Sequence, residues 1–567
     1  MKSSNWILYN KKRNIKEISQ KFGITPLTSV ILCNRDIYDD SDIEKILSSN
    51  LSDMNEARLL PDVDMAIKII KESIDGKKNI RIVGDYDIDG VCATYILYDS
   101  IKRLGGIVSY HIPDRFLDGY GINRNIIDKA IADKIDLIIT CDNGIAASDE
   151  ISYATNNGIK VLVTDHHDIG NLPDKAVAIV NPKRTDVKNK YPFDGICGAM
   201  VAYKVMERYF DVYEEDKEYV KNNYLEFTTI ATIGDIMPLI NENHIVAKVG
   251  LRKIVLTKNK GLKKLIEVAG IDSNNALTTY HIGFIIGPLI NAAGRMENAT
   301  LALELFLATD DDIISNLALT LKRLNDERKE MTENGAKLAV EIIEKNYVDD
   351  KVLVVFVENL GEQVAGIVAG RIKEKYNKPT IILTDTIEKD EAKASCRSID
   401  TYDIFTALNA HRDILLKFGG HKLAAGFSIK KENIDMLRKL LNEKCELGDE
   451  DFAKKVYIDA DFPFYEMNED VINDIEKLAP FGQNFNKPTF ASKSVETKIL
   501  NVYGNSQNVV KLLFDKDGRV VKGVAFMDYK MIKDRLDKDT KIDIVYYPKV
   551  NEYRDIRNVE INLVDFR

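Results

Sequence analysis

The sequence predicts an α/β protein built around a doubly wound parallel sheet, followed by a smaller α/β domain and a C-terminal β-barrel. Apolar, strand-like runs alternate with helical stretches from about residue 60, and a second alternation begins near residue 351. Short strand-like runs with Gly- and Asn-rich turns fill the tail beyond about residue 455. Strands that alternate with helices are typical of βαβ units, and short strands with turn residues are typical of barrels.

Five apolar runs define the first sheet, and a helical stretch from Gly90 to Leu104 follows the first of them. Strands of a parallel sheet are buried on both faces, so they are apolar throughout instead of alternating. The five predicted strands are Asn79–Val83, Gly106–Pro113, Asp136–Thr140, Lys160–Thr164 and Ala176–Val180.

A long amphipathic helix is predicted between Thr300 and Asn346, where leucines recur at three- and four-residue steps among charges. We expect this helix to connect two domains, because the next strand, Lys351–Phe356, begins directly after it. The predicted segments are an N-terminal region at 1–59, the doubly wound domain at 60–265, the end of the core and the long helix at 266–347, the smaller α/β domain at 348–450 and the barrel at 451–567.

Composition predicts several folded domains without a membrane span. The chain has 567 residues, of which 45% are hydrophobic and 30% are charged, so it is too long for one core. No run of 18 apolar residues is present, and the N-terminus lacks the apolar segment of a secretory signal. The six cysteines include no CxxC pair, which argues against a disulfide framework and a zinc ribbon. We therefore expect a cytoplasmic protein.

The net charge of −10 argues against a broad, non-specific nucleic-acid coat, because such proteins neutralise phosphates with Lys and Arg. The charge leaves room for a narrow basic channel, since the chain still has 79 Lys and Arg residues. A carboxylate cluster that binds metal ions would also add negative charge without repelling a phosphate chain.

Acidic and histidine residues follow the strands of the first sheet. The GDYDIDG segment comes after the first strand, and its alternating acids are expected on one face of an extended turn. The carboxyl ends of parallel strands meet at one crevice, so residues from separate segments should come together. The candidate residues are Asp85, Asp87, Asp89, Asp142, Asp165, His166, His167 and Asp235.

Such a cluster predicts a site for two divalent metal ions. Neighbouring carboxylates raise one another's pKa, and bound cations remove that conflict. Oxygen ligands mixed with His suit Mn²⁺, with Mg²⁺ as the plentiful alternative. Two such ions activate water for phosphoester hydrolysis. Each piece alone has a plainer interpretation, since a DxD is often a turn and Asp142 or Asp165 is compatible with a helix N-cap. Their joint occurrence after successive strands favours the metal site.

The motifs GDYDIDG, CDNG, TDHH and GDIMPL resemble the four successive motifs of the DHH phosphoesterase superfamily. Four further segments resemble the RecJ family within it, and together the motifs span nearly the whole chain. These segments are IPDRFLDGYG at Ile112–Gly121, IGPLINAAGRMENA at Ile286–Ala299, KFGGHKLAAGF at Lys417–Phe427 and LAPFGQNFNKPTF at Leu478–Phe490. The resemblance implies a DHH domain, a DHHA1 domain and a C-terminal OB-fold.

The resemblance also implies the roles of the acidic cluster. Asp142 is expected to bridge the two metal ions, Asp85 to lie close by as a further ligand, and His167 to bind metal or the scissile phosphate. Asp165 is expected to orient its neighbouring histidines. The principal metal ligands implied are Asp87, Asp89, Asp142, His166 and Asp235.

A second set of residues is implied to bind the nucleic acid. Arginine suits phosphate because its planar fork binds two oxygens at once. Arg115, Arg295, Ser395 and Arg397 match the family's anchor for a DNA 5′ end, and the residues expected near the cleavage point are Arg371, His421, Gly419 and Gly420.

Two departures from the family pattern stand out. Val83 occupies a position where some relatives carry a histidine before the first DxD, so one metal site has fewer predicted protein ligands. Leu360 and Gly361 replace the aromatic and histidine residues of a WH motif in the second domain.

The resemblance implies a single-stranded-DNA-specific 5′→3′ exonuclease that releases 5′ mononucleotides in recombination and repair. It suggests a single-strand-binding protein and a RecQ-type helicase as partners, and we expect a monomer. The alternatives are another DHH phosphoesterase (an oligoribonuclease, a pyrophosphatase or a cyclic-dinucleotide phosphodiesterase) and an inactive single-strand-binding scaffold. The predicted barrel argues against the first group, and the retained metal ligands argue against the second. Tyr503, Phe514 and Phe526 are candidate stacking residues of the barrel, although barrel aromatics are more often core.

Overall fold

A computed structural model describes residues 4–11, 13–48, 50–115, 118–119, 121–272, 276–504, 507–553 and 556–567. Three residues of the predicted Ile112–Gly121 motif, at positions 116, 117 and 120, lie outside these ranges. No helix in the described part of the chain is both long and apolar enough to cross a bilayer. The chain forms two compact units, one of Trp6–Asn291, Ala299–Ala318 and Val456–Arg567, the other of Met1–Asn5, Ala292–Asn298 and Leu319–Lys455.

The N-terminal region is mostly helical. Helix α2 begins with Pro26 after the N-cap Thr25, whose side chain accepts the N–H of Thr28. Its C-cap, Arg35, forms a buried ion pair with Asp459, with Nη1 and Oδ1 2.6 Å apart. The elements are β1 (Asn5–Leu8), α1 (Ile15–Phe22), α2 (Pro26–Asn34), α3 (Asp40–Leu47) and α4 (Val63–Asp75).

The first sheet is parallel throughout, with strand order β3-β2-β4-β5-β6. The chain leaves β2 toward β3 and then returns to the other side of β2, so the direction of winding reverses between β2 and β4. Such a switch point opens a crevice at the carboxyl ends of the strands. The elements are β2 (Asn79–Val83), α5 (Ile88–Arg103), β3 (Ile107–His111), α6 (Arg124–Ala132), β4 (Leu137–Cys141), α7 (Ser148–Asn156), β5 (Lys160–Thr164) and β6 (Ala178–Val180).

A helical layer follows the sheet. Helix α10 is buried along almost its whole length, which matches its apolar sequence LEFTTIATIG. The elements are α8 (Gly198–Val212), α9 (Lys217–Asn223), α10 (Leu225–Gly234), α11 (Asn241–Ile254), α12 (Lys260–Val268), a π-helical segment (His281–Ile286), α13 (Gly287–Met296), α14 (Thr300–Leu307) and α15 (Asp311–Asn346).

A fully buried ion pair lies inside this layer. Lys204 Nζ is 2.9 Å from Glu242 Oε2, and both side chains have 0% exposure. Glu242 also accepts hydrogen bonds from Tyr191 and Asn55, and Lys204 donates to the carbonyl of Asn55. Each charge therefore has the additional polar partners that a buried pair requires.

The prediction of one helix from Thr300 to Asn346 is wrong in one respect, because the chain breaks between α14 and α15. Asp310 causes the break, since its Oδ1 accepts the N–H groups of Asp312 and Ile313 and so starts a new helix. The rest of the prediction is confirmed by the 36-residue helix α15.

The smaller α/β domain has a five-stranded sheet in the order β10-β11-β9-β8-β7. Only β7 and β8 are parallel in this sheet, and the remaining pairs are antiparallel. The elements are β7 (Leu353–Phe356), α16 (Glu362–Tyr376), β8 (Thr380–Asp385), β9 (Glu391–Arg397), α17 (Ile404–Asn409), β10 (Leu415–His421), β11 (Ala424–Lys430) and α18 (Ile434–Glu443).

The C-terminal region is a closed barrel, as predicted. Its sheet order is β13-β14-β15-β16-β18-β17, and pairing of β14 with β17 closes it. Of the candidate stacking residues, Phe514 is fully buried, whereas Tyr503 and Phe526 are 49% and 68% exposed. The elements are β12 (Lys455–Ile458), β13 (Ala460–Asp461), α19 (Glu469–Glu476), β14 (Phe490–Tyr503), β15 (Val509–Lys516), β16 (Arg519–Ala525), α20 (Tyr529–Leu536), β17 (Lys541–Tyr553) and β18 (Ile556–Phe566).

Candidate metal centre

The acidic cluster lies at the switch point between β2 and β4. Asp85 and Asp87 follow β2, and Asp142 follows β4, so strand ends that are neighbours in the sheet present them together. Asp85 and Asp142 are each only 2% exposed. The topology therefore brings to one crevice the residues that the sequence places about 55 positions apart.

The predicted extended turn across the first three acids is wrong. Asp87 is the N-cap of α5, and its Oδ1 accepts the N–H groups of Asp89 and Gly90 at 2.9 and 3.1 Å. Asp89 therefore lies in the first helical turn instead of on an extended strand. Aspartate is among the preferred N-cap residues, and here capping overrides the period-two pattern.

Asp89 is held by the N-terminus of α8. Its two carboxylate oxygens accept the backbone N–H groups of Gly198 and Ala199 at 2.6 and 2.7 Å. Helix N-termini favour negative charge because their amides point outward. This contact fixes one wall of the cluster in a buried environment.

Asp142 adopts a left-handed backbone conformation with φ 61°. Its N–H donates to the carbonyl of Thr164, so the strained residue is tied to the neighbouring strand. A Cβ atom on Gly198 would lie 2.7 Å from the Asp142 Cβ. Glycine at 198 is therefore needed for the close approach of α8 to Asp142.

His166 lies at the centre of the cluster. Its Nε2 is 3.0 Å from Asp142 Oδ1, 3.5 Å from Asp89 Oδ2 and 3.8 Å from Asp235 Oδ2. Asp235 is the C-cap residue of α10 and is the most exposed of these carboxylates. Carboxylates from three other chain segments thus converge on one imidazole nitrogen.

Asp165 orients both histidines. Its Oδ1 accepts the N–H groups of His166 and His167 at 2.7 and 3.1 Å and lies 2.8 Å from His167 Nδ1. Its Oδ2 accepts the N–H of Ile145. His167 therefore uses Nδ1 for Asp165, which leaves Nε2 as the nitrogen suited to a metal or a phosphate oxygen.

Burial and mutual repulsion dominate the electrostatics. Burial, followed by the charge of Asp87, raises the pKa of Asp85 to about 8. Burial, followed by the charge of Asp89, raises the pKa of Asp235 to about 8 as well. The same causes raise the pKa values of Asp87 and Asp142. For His167, burial lowers the pKa, but the hydrogen bond and charge of Asp165 outweigh it and raise the pKa.

The donor set fits divalent cations. Three groups of ligand atoms each lie within 4.8 Å of one another, and Asp142 belongs to two of them. Asp85 Oδ1 is buried and accepts no hydrogen bond from the described residues. Buried oxygens with imidazole nitrogen suit Mn²⁺ or Mg²⁺, and a cation would relieve the repulsion. The groups are Asp85–Asp87–Asp142, Asp89–His166–Asp235 and Asp142–His166–His167.

Metal binding is expected to release protons below about pH 8, because Asp85 and Asp235, each with a pKa of about 8, must lose protons to bind a cation. Affinity for Mn²⁺ should therefore rise with pH and level off above about pH 8. The metal-free protein has the opposite dependence. Its folded state holds protons that the unfolded chain releases near about pH 4, so this contribution to stability is lost as pH rises through about 8.

Calorimetric titration of Mn²⁺ in buffers with different heats of ionisation measures the protons released. Zero release at about pH 6.5 would contradict the raised pKa values. The exposed Asp174 is not in the cluster, and Asp174→Asn should leave the proton count unchanged.

The predicted phosphate-binding residues of the smaller α/β domain lie on three neighbouring strands. Arg397 pairs with Ala424 on β11, and Ala424 pairs with His421 on β10. Directly paired residues point to the same face, so Arg397 and His421 share a face of the sheet. The second row, which shares that face, is Ser395, Gly426 and Gly419.

Gly420 is required where β10 approaches β11. Its φ is 149°, and a Cβ atom there would lie 2.4 Å from the Ala425 Cα. No other residue fits at that distance. The backbone on either side of His421 is therefore held close to the neighbouring strand.

Helix α16 faces the same residues. A Cβ atom on Gly366 would lie 2.9 Å from Ser395 Oγ and 3.2 Å from Arg397 Nη2. Arg295 contacts the first turn of this helix, with Nη1 3.5 Å from the Gln363 carbonyl. Arg371 is an exposed residue of α16. The structure thus brings Arg295, Ser395 and Arg397 around α16.

Arg328 is a basic residue near this set that the motifs did not indicate. Its Nε and Nη2 both donate to Asn325 Oδ1 on α15. Burial lowers the pKa of Arg328, and the charge of Arg371 lowers it further. Two guanidinium groups therefore lie close enough to repel each other.

Arg115 and the two departures from the family pattern have distinct settings. The Arg115 guanidinium lies over the Tyr86 ring, 5.4 Å from its centroid, beside Asp85 in sequence. Val83 is fully buried in the core of the first sheet. Leu360 is buried in the core under α16, and Gly361 is the N-cap of that helix. These positions are therefore packing and capping positions in this chain.

Two asparagines position the cluster and were not singled out from the sequence. Asn143 donates to the carbonyls of Val83 and Cys141 and so ties the ends of β2 and β4 together. Asn291 on α13 accepts the N–H of Ile88 at 2.8 Å. Asn143 follows Asp142 in CDNG and Asn291 lies in IGPLINAAGR, so the sequence motifs contain both residues.

Three cysteines surround the metal centre. Cys92, Cys141 and Cys197 are fully buried, and all six cysteines of the chain are free and buried. Burial raises the pKa of the Cys141 thiol to about 12 and also raises the pKa values of Cys92 and Cys197. These sulfurs are thiols at neutral pH in the metal-free protein, and none of the three groups of ligand atoms among the described residues includes one of them.

Comparison with known families agrees with this geometry. Models of the DHH family N-terminal domain, the DHHA1 domain and the RecJ OB domain match residues 79–232, 349–447 and 458–565. The single-stranded-DNA-specific exonuclease RecJ of Bacillus subtilis is 31% identical over 554 residues, covering 97% of this chain and 69% of the relative. The RecJ protein of Haemophilus influenzae is 31% identical over 582 residues, covering 98% of each.

Solved structures show the same fold. RecJ from Thermus thermophilus in complex with Mn²⁺ superposes with a TM-score of 0.82 at 24% identity, covering 99% of this chain and 79% of that one. A second structure, exonuclease RecJ bound to manganese, has a TM-score of 0.60 at 29% identity, covering 69% of this chain and 96% of that one.

Fold and site together define a metal-dependent phosphoesterase of the DHH class. Within this class the chain belongs to the RecJ family of exonucleases. The predicted family and fold class are thereby confirmed.

Proposed function

We propose that this protein is a single-stranded-DNA-specific 5′→3′ exonuclease that releases 5′ mononucleotides by phosphodiester hydrolysis with two divalent ions. The observation that carries the proposal is the buried cluster of carboxylates around His166. Asp142 is a member of two of the three groups of possible ligand atoms in this cluster. We propose Mn²⁺ as the preferred ion and Mg²⁺ as the alternative.

The chain's own residues would divide the chemistry as follows. When bound, the ions supply Lewis-acid stabilisation of the phosphate and an activated water. Asp142 would bridge them, with Asp85 and Asp87 on one side and Asp89, His166 and Asp235 on the other. Asp165 would keep the imidazole of His167 oriented, with Nδ1 protonated and Nε2 directed to the scissile phosphate.

The reaction breaks the bond between phosphorus and the 3′ oxygen of the terminal nucleotide. Water adds to phosphorus, and the 3′ oxygen leaves with a proton. The shortened strand then carries a new 5′ phosphate, which is the end group that the next cycle needs. This chemistry requires no nucleophile from the protein.

A basic set would anchor the strand. We propose that Arg115, Arg295, Ser395 and Arg397 bind the 5′-terminal phosphate, and that Arg371, His421 and the Gly419–Gly420 backbone contact phosphates near the cleavage point. Three guanidinium groups and a hydroxyl suit the several oxygens of a terminal phosphate.

Single-stranded DNA labelled at either end tests the proposal directly. With Mn²⁺, a 5′ label should appear as mononucleotide at once, whereas a 3′ label should persist on progressively shorter strands. The matching duplex should resist digestion. Cleavage confined to dinucleotides or pyrophosphate would support a different DHH phosphoesterase and contradict the proposal.

Replacing Arg397 by glutamine is expected to raise the KM for a 5′-phosphorylated strand about tenfold, because one charge-assisted phosphate contact is lost. The kcat should change little, and a strand with a 5′ hydroxyl should show no further loss. Lys439→Gln, an exposed cation on α18, is the matched control. Equal losses on both strands would mean that Arg397 does not recognise the end group.

The wider biological setting follows from the family resemblance. A role in recombination and repair, a single-strand-binding protein and a RecQ-type helicase as partners, a monomeric state and a cytoplasmic location remain predictions. Sedimentation of the purified chain tests the monomeric state.

A further inference from the structure

A cavity of about 960 Å³ lies in the unit that contains the metal centre. Helix α11, the chain before the π-helical segment, the loop between α19 and β14, and strand β17 form its walls. Its lining combines cations with aromatic rings, among them Lys248, Arg252, Tyr280, Phe481 and Tyr547.

Two of the cations have no acidic partner among the residues that the structure describes. Lys248 Nζ donates only to the carbonyls of Ile46, Leu47 and Lys477. Among the described residues, neither Lys248 nor Arg252 has a carboxylate oxygen within 4.0 Å. The other lining lysines, Lys477 and Lys487, are paired with acids.

Lys248 and Arg252 also repel each other. They lie four residues apart on α11 and so share a face of the helix. Burial lowers the pKa of Lys248 to about 8, and the charge of Arg252 contributes in the same direction. Although the chain has a net charge of −10, this cavity is locally positive, and a bound anion would relieve the repulsion between its two cations.

An aromatic pair extends from the cavity. The rings of Tyr280 and Phe284 stack with their centroids 5.2 Å apart and their planes at 22°. Tyr280 is 60% exposed and Phe284 70% exposed, although burial would be favourable for both. Exposed stacked rings beside cations are typical of surfaces that bind unpaired bases.

The same helical segment leads to the metal centre. Phe284 lies in the π-helical segment His281–Ile286, which continues into α13. In α13, Asn291 accepts the N–H of Ile88, which stands between Asp87 and Asp89. Tyr280 precedes Asn291 by 11 residues, which is at most about 16 Å because the π-helical part rises less per residue than an α-helix. That length corresponds to about five nucleotides at the spacing of a stacked strand.

We propose that this cavity and the adjoining Tyr280–Phe284 pair form a second subsite for the single strand, about five nucleotides from the metal centre. The proposal rests on the proposed nuclease function and extends it. The two rings stack with bases, and Lys248 and Arg252 bind the phosphates between them. Every base has an aromatic face, so this subsite binds without sequence preference.

Binding without cleavage tests the subsite. Strands of roughly five and roughly 20 nucleotides, labelled at the 3′ end, are titrated with metal-free protein in the presence of EDTA and followed by fluorescence anisotropy. The double variant Tyr280→Ala/Phe284→Ala should bind the longer strand about tenfold or more weakly. Its affinity for the shorter strand should be unchanged. Arg252→Gln should reduce the salt dependence of the longer strand by about 0.7 in slope.

Matched controls exclude general effects. Leu256→Ala removes a highly exposed apolar side chain just after α11, and Lys263→Gln removes an exposed cation on α12. Both variants should bind strands of either length as the unaltered protein does. Thermal unfolding of all variants verifies that each is folded.

Three outcomes would overturn the subsite. If the double variant binds the longer strand with unchanged affinity, the strand does not contact the cavity. Equal losses for both lengths would mean that the residues act at the metal centre itself. If the variants lower the affinity for an acidic peptide that contains aromatic residues but not the affinity for the longer strand, the cavity is a protein-docking site.

The failure of this inference is distinguishable from failure of the proposed function. If the unaltered protein digests single strands and binds both lengths while the variants match it, only the subsite is refuted. If the unaltered protein neither binds nor digests single strands, the proposed function itself is refuted.

Discussion

Replacing Asp142 by asparagine is expected to reduce hydrolysis of single-stranded DNA by at least about a thousandfold in saturating Mn²⁺. Asp142 belongs to two of the three groups of ligand atoms, so under the proposed function it would contribute to holding both ions. Loss of several kcal/mol of metal-based stabilisation corresponds to a factor of this size. Asparagine is the suitable replacement because it tolerates the left-handed backbone at this position, where φ is 61°.

The same variant should be more stable than the unaltered protein when metal is absent. It replaces a buried carboxyl group whose pKa is raised by burial and by the charges of Asp89, Asp87, Asp85 and Asp235. Activity assays and thermal unfolding in EDTA measure the two effects, with Asp174→Asn as the matched control. Retained activity together with unchanged metal affinity would mean that Asp142 is not a bridging ligand.

Replacing Lys204 by methionine is expected to lower the free energy of unfolding by about 3–5 kcal/mol. The change leaves Glu242 buried without its cation, since both side chains have 0% exposure. Urea denaturation with and without metal measures the loss. The effect concerns stability and not chemistry, so any folded fraction should keep its kcat.

The double variant Lys204→Met/Glu242→Gln provides the control. Glutamine keeps the hydrogen bond from Tyr191 and removes the uncompensated charge, so much of the stability should return. A single-variant loss below about 1 kcal/mol would mean that water reaches Glu242 when Lys204 is absent.

The first sheet and most of the metal centre were predictable because strong local signals coincide with the tertiary arrangement. A strand that is buried on both faces is apolar throughout, and β2 and β5 begin and end where the sequence indicates. Each candidate ligand follows such a strand or a buried helix. Parallel winding then brings their ends together without further information.

The remaining features depend on competition between signals or on distant partners. Asp87 and Asp310 act as helix caps, and a cap overrides the periodicity from which an extended turn or one continuous helix was predicted. Lysine and glutamate are residue types that usually lie at the surface, and only tertiary packing buries Lys204 and Glu242 together. Arg328 becomes notable only because the fold places it near Arg371.

The three thiols around the metal centre determine how it responds to oxidants and to soft metals. Peroxide and ions such as Cd²⁺ react with thiolates, but burial keeps Cys92, Cys141 and Cys197 protonated. The sulfurs therefore do not form sulfenic acid readily while the protein is folded. A soft ion would have to displace a thiol proton inside the buried core before it could compete with the carboxylates.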